Sequence, residues 1–477
     1  MARRKPERIL LVEPAYKNKY PPLGLMKIAT AHRLLGDDIQ FVKGMDKDLR
    51  DQRWDHIYIT TMFTFHWSIT VETIRFYDRG ESPITVGGVL ASLMPNEIEA
   101  ATGIRPHVGT LTGDLARVLS AAERCADLED LLPEIAVRGI DALPPDYGIF
   151  QEQNVPYRKT LDECYILRTT KGCHRNCAFC AVQVLEPEFV KHLAIGTIVS
   201  YIDKRWGPRQ NLVLLDDNVL HSPKFEAIIE EIRTLGFEKG AHRNNRRRYV
   251  DFNQGLDTRL LTKRHLKALS TLELRPLRLA FDRFELHDVY LQKVHWAIEA
   301  GFSEISSYVL YNFNDTPRDF FRRIEIGCKI NEQKRCRLYS FPMKYIPCGD
   351  KDRSHLGPNW TRRQIRGVQC ILNASYGIVP TNPSFFRAAF GGNVSEFLEI
   401  LQMPENYIIG RGKKSFRLGL RDWRNRYRSL ASDQRRQLKR AISKGKGKVD
   451  LVAGDRDLGS ILAHYVNENN HEGTTTR

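Results

Sequence analysis

Short apolar runs alternate with amphipathic stretches along the first 115 residues of the chain. Such runs predict buried strands, and the stretches between them predict helices. The predicted strands are residues 7–12, 39–42, 56–61 and 84–89, with a helix from Pro21 to Leu35 between the first two. Strands separated by helices imply a parallel, doubly wound sheet, so we predict a Rossmann-like domain over residues 1–117. Its ligand loops would follow the strands, at residues 14–23, 62–67 and 87–93.

The same alternation returns after a predicted linker, residues 118–156. The further predicted strands are residues 165–170, 211–215, 251–259, 277–282, 307–312 and 336–342. Repeated strand–helix units of this length predict a partial (β/α)6 barrel over residues 157–350, with its chemistry at the carboxyl ends of the strands. Beyond it we predict a helical, basic C-terminal domain over residues 351–466 and a disordered tail over residues 467–477. The predicted fold class is therefore α/β.

Composition narrows the class of protein. Hydrophobic residues make up 42% and aromatic residues 10% of the chain, as in soluble globular proteins, and no apolar run reaches transmembrane length. The apolar stretch at residues 9–12 is too short for a signal peptide. Nine cysteines then indicate reduced thiols rather than disulfides, so we expect a cytoplasmic protein without membrane contact.

Positive charge is concentrated near the C-terminus. The formal net charge is +16, and the segment from Arg411 to Lys448 holds fifteen Lys or Arg against two acids, a net +13. Trp423, Tyr427 and Leu430 recur there at helical spacing and predict an apolar stripe that docks while the arginines face outward. With a second basic run at residues 242–248, this segment predicts either a nucleic-acid contact or a solvated surface.

Three cysteines, Cys173, Cys177 and Cys180, share one loop at C-x3-C-x2-C spacing. Thiolates this close converge on one point, which suits a metal or an iron–sulfur cluster. No fourth cysteine stands at matching spacing, and a cubane cluster held by three thiolates keeps one iron open. A zinc site that recruits His174 is the main alternative, but His174 directly follows Cys173, too close for a paired-ligand loop. A local disulfide is less favoured still.

This octet, with the aromatic Phe179 just before the third cysteine, resembles the radical S-adenosylmethionine (SAM) signature. The resemblance implies a 4Fe-4S cluster on the three cysteines, with the amino and carboxylate groups of SAM on the open iron. It also implies a reducing partner of the flavodoxin or ferredoxin type, whose electron allows a 5′-deoxyadenosyl radical to form.

Weaker similarities imply further SAM contacts at the strand ends. The turn at residues 216–218 resembles the acidic turn near the methionine amino group, and residues 254–259 resemble the strand near the ribose and carboxylate. The turn at residues 311–317 resembles the one that flanks adenine, with asparagine where glycine is more usual. The implied cofactor-binding residues are Phe179, Asp216, Asp217, Gln254, Asp257, Arg259 and Asn312.

The N-terminal region is similar to the cobalamin-binding domains that precede many radical SAM domains. The similar features are the helix start at residues 21–25, the pair Gly87-Gly88, and residues 95–97. No Asp-x-His-x-x-Gly run supplies an axial histidine. The resemblance implies cobalamin as a possible cofactor, with the alternative that the fold persists without it.

Two kinds of substrate remain open at this point. Hydrogen abstraction by the radical would modify a small molecule or peptide, by methylation if cobalamin binds and by rearrangement or cyclisation if not. Alternatively, an RNA-modifying enzyme would use the basic C-terminal region, and a non-enzymatic, metal-stapled nucleic-acid binding protein is a further alternative. The later thiols match no ligand spacing and are interpreted as core or free thiols rather than an auxiliary cluster: Cys328, Cys336, Cys348 and Cys370.

Overall fold

The computed structural model describes residues 5–151, 154–443 and 455–466. It consists of two compact units, the first formed by Met1–Arg278 with Ile346–His355 and the second by Leu279–Tyr345 with Leu356–Arg477. The predicted tail over residues 467–477 lies outside the described residues. The division into compact units does not test the predicted domain boundaries, which stay a prediction.

The first unit begins with a four-stranded parallel sheet in the order β2-β1-β3-β4. Its strands are β1 (Arg8–Glu13), β2 (Asp38–Lys43), β3 (His56–Thr61) and β4 (Ile84–Gly88). Its helices are α1 (Leu23–Leu35), α2 (Lys47–Arg50), α3 (Trp67–Tyr77), α4 (Val89–Leu93) and α5 (Pro95–Thr102). The central β1 is buried along five of its six residues, because helices cover both faces of such a sheet. The predicted Rossmann-like sheet is confirmed.

The next part of the first unit carries a second parallel sheet, in the order β5-β6-β9. Its strands are β5 (Cys164–Leu167), β6 (Asn211–Leu214) and β9 (Val250–Phe252), and a separate hairpin joins β7 (His242–Arg243) to β8 (Arg246–Arg247). The helices here are α6 (Leu115–Ala122), α7 (Leu132–Arg138), α8 (Arg158–Glu163), α9 (Val182–Leu185), α10 (Gly196–Trp206), α11 (Phe225–Ile232) and α12 (Lys263–Leu269).

Two predicted strands end at least three residues earlier than expected. The strand predicted at residues 251–259 stops at Phe252, because the chain turns at Gly255, whose φ is +85°. The strand predicted at residues 165–170 stops at Leu167, since the amides of Thr169 and Thr170 bond a carboxylate instead of a neighbouring strand.

The second unit contains a three-stranded sheet in the order β10-β11-β12, which is followed by helices. The elements are β10 (Leu277–Ala280, which begins in the first unit), α13 (His287–Glu299), β11 (Glu304–Tyr311), α14 (Pro317–Glu332) and β12 (Arg337–Lys344). The helices that follow are α15 (Arg362–Asn373), α16 (Pro383–Phe390), α17 (Val394–Ile400), α18 (Glu405–Gly410), α19 (Arg417–Ser429), α20 (Ser432–Ser443) and α21 (Arg456–Val466). The two three-stranded sheets agree with repeated strand–helix units, and the (β/α)6 barrel stays a prediction.

One apolar core joins the last strands of the second unit to its helices. Val309 of β11 and Phe320 of α14 belong to the same buried cluster as Trp360, Phe397 and Trp423. The predicted stripe on α19 is confirmed, since Trp423 and Leu430 are buried and Tyr427 packs against the cluster. Two of the later thiols also belong to this core, Cys328 and Cys370, which supports their interpretation as core thiols. In the described parts of the chain, no helix is both long and apolar enough to span a membrane.

Candidate cofactor site around the cysteine loop

Hydrogen bonds hold the cysteine loop in a defined shape. Lys171 pairs with Val190 through two backbone hydrogen bonds of 3.3 and 3.0 Å, which brings together the two ends of the loop. Gly172 has a φ of +76°, and a Cβ there would lie 2.6 Å from the carbonyl oxygen of Glu188, so only glycine fits. Gln183 of α9 donates its side-chain amide to the carbonyl oxygens of Cys173 and, at 2.8 Å, Arg175. The loop is therefore closed by hydrogen bonds at its base and at its centre.

The three sulfur atoms suit a cluster better than a single ion. Cys173 and Cys177 are half-buried, and Cys180 is exposed. The three sulfurs do not all lie within 4.8 Å of one another. Across residues 5–151, 154–443 and 455–466, the one group of three or more possible metal ligands that lies so close together is Glu7, His32 and Asp37. Tetrahedral zinc with bonds of about 2.3 Å needs its sulfurs about 3.8 Å apart. A cubane, in contrast, binds each thiolate through a different iron and holds the sulfurs further apart.

Asp216 fixes the chain where it enters the loop. Its Oδ1 accepts hydrogen bonds from the Thr169 amide (2.9 Å), the Thr169 hydroxyl (2.7 Å), the Thr170 hydroxyl (2.8 Å) and the Thr170 amide. Burial raises the pKa of Asp216, and these four donors oppose the rise. Its other oxygen, Oδ2, is buried and accepts no hydrogen bond from the described residues, and the same holds for Oδ1 of Asn218. Two unsatisfied acceptors therefore lie at the end of β6, beside the loop.

Asp217 and Glu186 hold the backbone at Gly172. The Gly172 amide lies 3.0 Å from Asp217 Oδ2 and 3.2 Å from Glu186 Oε2. Burial, together with the hydrogen bond and the charge of Glu186, raises the pKa of Asp217 to about 7. Arg168 forms an ion pair with Glu186. Asp217 thus loses its proton only as the pH rises through about 7.

Asp257 links two arginines on another side of the loop. It accepts hydrogen bonds from Arg259 (Nε, 2.7 Å) and from Arg175 (Nε, 3.1 Å), which belongs to the cysteine motif. Burial opposes its ionisation, but the hydrogen bonds and charges of the arginines outweigh burial and lower the pKa of Asp257. The Arg259 guanidinium also lies 3.9 Å from Cys177 Sγ. A carboxylate-bound arginine pair therefore borders the sulfurs.

For the other three predicted cofactor-binding residues the structure gives a position but no role. Gln254 is exposed on the turn after β9, and Phe179 is half-buried on the turn before Cys180. Asn312 belongs to the second unit, where it is buried with a φ of +69° and accepts a 2.9 Å hydrogen bond from the Gly357 amide. The roles predicted for these three residues stay predictions.

Sequence reasoning missed two residues at the first cysteine. Asn218 Nδ2 lies 3.5 Å and His221 Nδ1 lies 3.6 Å from Cys173 Sγ. The sequence indicates Asn218 only as part of the acidic turn, and no local pattern distinguishes His221. Because 45 and 48 residues separate them from Cys173, only the fold brings them to the sulfur.

A cavity of about 170 Å³ opens beyond the carboxyl ends of β3 and β4. Glycines 24, 87 and 88 contribute to its wall, together with Lys27, Asp141 and His107. The His107 Nε2 atom is buried and has no hydrogen-bond partner among the described residues. Asp141 lies 3.1 Å from Lys27 Nζ and 2.8 Å from Lys171 Nζ, and Lys171 belongs to the base of the cysteine loop. Ion pairs thus connect the cavity wall to the loop.

Comparisons with known proteins give only distant similarities. No family model and no curated protein matches the chain. The radical SAM methyltransferase TsrM from Kitasatospora setae, with cobalamin and a [4Fe-4S] cluster bound, is 15% identical over 72% of this chain and 77% of that one, with a TM-score of 0.47. TsrM with tryptophan and a SAM analogue is 14% identical over 76% of each chain, also at 0.47.

The cobalamin-dependent SAM radical enzyme OxsB, in its apo form, is 11% identical over 97% of this chain and 75% of that one, with a TM-score of 0.45. At such identities and TM-scores the similarity does not extend to function, which rests on this chain's own residues.

Proposed function

We propose that this chain is a radical SAM enzyme whose 4Fe-4S cluster is held by Cys173, Cys177 and Cys180. The observation that carries the proposal is a hydrogen-bonded loop of three thiols beside two buried acceptors, Asp216 Oδ2 and Asn218 Oδ1, which no donor of the described residues satisfies. Buried acceptors without donors are costly, so their presence favours a ligand that brings hydrogen-bond donors. When bound, the cluster and SAM supply a 5′-deoxyadenosyl radical by one-electron cleavage of the S–C5′ bond.

The chain's own residues fit the polar end of SAM. Asp216 Oδ2 and Asn218 Oδ1 would accept hydrogen bonds from its ammonium group, and the charge on Asp216 strengthens such bonds. Arg175 and Arg259, both held by Asp257, would provide positive charge for its carboxylate. Gln254 and Phe179 are proposed to contact its ribose and adenine, on the resemblance alone. Asp217 acts through Gly172, as a positioning residue of the loop.

Cobalamin binding in the N-terminal domain is proposed on a partial fit. The cavity volume of about 170 Å³ lies below the roughly 300–1,000 Å³ of pockets that enclose drug-sized ligands. It would admit one arm of a corrinoid rather than the macrocycle, with His107 Nε2 as a hydrogen-bond partner. Bound methylcobalamin would supply a methyl group, and without it the hydrogen abstraction would lead to rearrangement or cyclisation.

A small-molecule or peptide substrate is favoured over RNA, because part of the basic charge is neutralised internally. Arg424 and Arg428 of α19 lie 3.1 and 2.9 Å from carboxylate oxygens of Glu399. In the second basic run, Arg246 pairs with Glu163 at 3.2 Å and Arg247 with Glu273 at 3.5 Å. These acids lie outside the two basic segments, so the net charge of each segment overstates the charge offered to a polyanion.

Anaerobic reconstitution tests the proposed function. We expect about four irons and four sulfides per chain, and 5′-deoxyadenosine on reduction with SAM. Cys177→Ala should abolish both, whereas the control Cys125→Ala, which changes a thiol outside the loop, should keep both. A Cys177→Ala variant that still formed 5′-deoxyadenosine would overturn the assignment.

A further inference from the structure

The sulfur of Cys173 is surrounded by more hydrogen-bond donors than the other two sulfurs of the loop. It lies 3.3 Å from the Arg175 amide, 3.5 Å from Asn218 Nδ2 and 3.6 Å from His221 Nδ1. Among the described residues, the contacts found for the other sulfurs are one donor each, Arg259 at Cys177 and the Val182 amide at Cys180. The first cysteine therefore differs from its two partners.

One strand end delivers both side-chain donors. Asn218 follows β6, is 5% exposed, and begins a 3-10 turn that is closed by a 3.1 Å hydrogen bond from the His221 amide to the Asn218 carbonyl. The His221 ring packs at 5.1 Å from the His174 ring and at 6.2 Å from the Phe189 ring. Neighbouring rings thus limit how His221 can turn. Because a thiolate only accepts hydrogen bonds, Nδ1 is the protonated ring nitrogen when it bonds Cys173.

We propose that Asn218 and His221 raise the reduction potential of the cluster by donating hydrogen bonds to Cys173 Sγ. The inference rests on the proposed function, because it requires the cluster. Sulfur ligands carry part of the cluster's negative charge, and the reduced cluster has one electron more than the oxidised one. N–H donors therefore stabilise the reduced form more, which is why hydrogen bonds to the sulfurs help to set iron–sulfur potentials.

This role assigns two functions to one amide. Asn218 Nδ2 faces the cysteine sulfur, while its Oδ1 is the unsatisfied acceptor proposed for SAM. The potential must therefore be measured before SAM is added, so that any loss of SAM binding does not alter the result.

The test is a redox titration of the reconstituted protein without SAM, followed by the electron paramagnetic resonance signal of the reduced cluster. Asn218→Leu and His221→Phe each remove one donor and keep the side-chain bulk. At the potential where the parent cluster is half reduced, we expect the ratio of reduced to oxidised cluster to fall at least threefold in each variant. For one electron this equals about 28 mV, at 59 mV per tenfold change. The matched control His174→Phe changes the neighbouring ring and should titrate like the parent.

Each outcome has a distinct meaning. Variants that hold about four irons and titrate like the parent would overturn the inference and leave the proposed function standing. A parent protein that fails to assemble about four irons would instead overturn the proposed function. Should one of the two substitutions prevent cluster assembly, the other decides. Asn218→Ala and His221→Leu, which remove the same donors with side chains that cannot donate, take their place if both fail, and they overturn the inference if their potentials match the parent's.

Discussion

Asp216 performs two tasks with its two oxygens, and substitutions can separate them. Asp216→Ala removes both oxygens and leaves the buried amides of Thr169 and Thr170 without their acceptor. Each unsatisfied buried amide costs about 1–3 kcal/mol. Removal of the carboxylate also removes the cost of burying its charge, which offsets part of the loss from the two amides. We expect the base of the loop to lose about 3 kcal/mol of local stability. At 1.36 kcal/mol per tenfold change, its amides should then exchange with solvent roughly 160-fold faster.

Asp216→Asn should leave the loop nearly intact and yet impair SAM binding. The carboxamide oxygen can still accept from both threonines, and the loss of charge weakens these bonds by about 1 kcal/mol in total, or roughly fivefold in exchange. The new amide nitrogen, however, replaces the free Oδ2 and presents donors toward the ammonium group. We expect at least a tenfold weaker affinity for SAM, because a charge-assisted bond becomes a clash of donors.

Hydrogen–deuterium exchange of the peptide that contains Thr169 and Thr170, and equilibrium dialysis with SAM, measure the two effects. The control is Asp38→Asn, which changes an exposed aspartate of β2 and should alter neither quantity. If exchange in Asp216→Ala equals that of the parent, Asp216 does not hold the loop. If Asp216→Asn binds SAM like the parent, Oδ2 is not a ligand contact.

Further predictions concern pH, the core, the cavity and charge. The pKa of Asp217 is raised to about 7 in the folded protein. Its contribution to the free energy of unfolding is therefore full below its ordinary pKa near 4 and is lost as the pH rises through 7. In urea unfolding, the stability of Asp217→Asn should lack this decline with pH. Trp423→Ala should destabilise the second unit by about 3–5 kcal/mol, as measured by thermal denaturation, and a change below 1 kcal/mol would contradict its place in the core. After reconstitution with cobalamin and desalting, we expect the protein to retain corrin absorbance in the base-off form, and a colourless protein would exclude the cofactor. Lys413→Ala with Lys414→Ala, exposed residues of the basic segment, should leave RNA retention unchanged at low and at moderate salt, whereas a reduced salt dependence would favour the RNA alternative.

The N-terminal sheet could be predicted because its signal is local. The strand at residues 56–61 has the predicted bounds, and the other three agree to within one residue at each end. Buried parallel strands are continuous apolar runs, and the first helix ends at a glycine, Gly36, whose φ is +81°.

The three cysteines of the loop were equally accessible to sequence reasoning, since their spacing is a local property. The donors at Cys173 were not, because Asn218 and His221 reach its sulfur only through the pairing of β5 with β6. The ion pairs of the basic segment were not accessible either, because Glu399, which pairs with two of its arginines, lies in another helix. Its contact with nucleic acid stays a prediction.

The closure of the cysteine loop by hydrogen bonds within the protein bears on how a protein that carries the proposed cluster would survive exposure to oxygen. Lys171, Val190 and Gln183 hold the loop through hydrogen bonds that need no metal. Loss of an oxidised cluster would then leave a folded, reusable scaffold rather than an unfolded chain destined for proteolysis. Repair would then require only new iron and sulfide at the cysteine loop, so damaged molecules would regain the cluster without new protein synthesis.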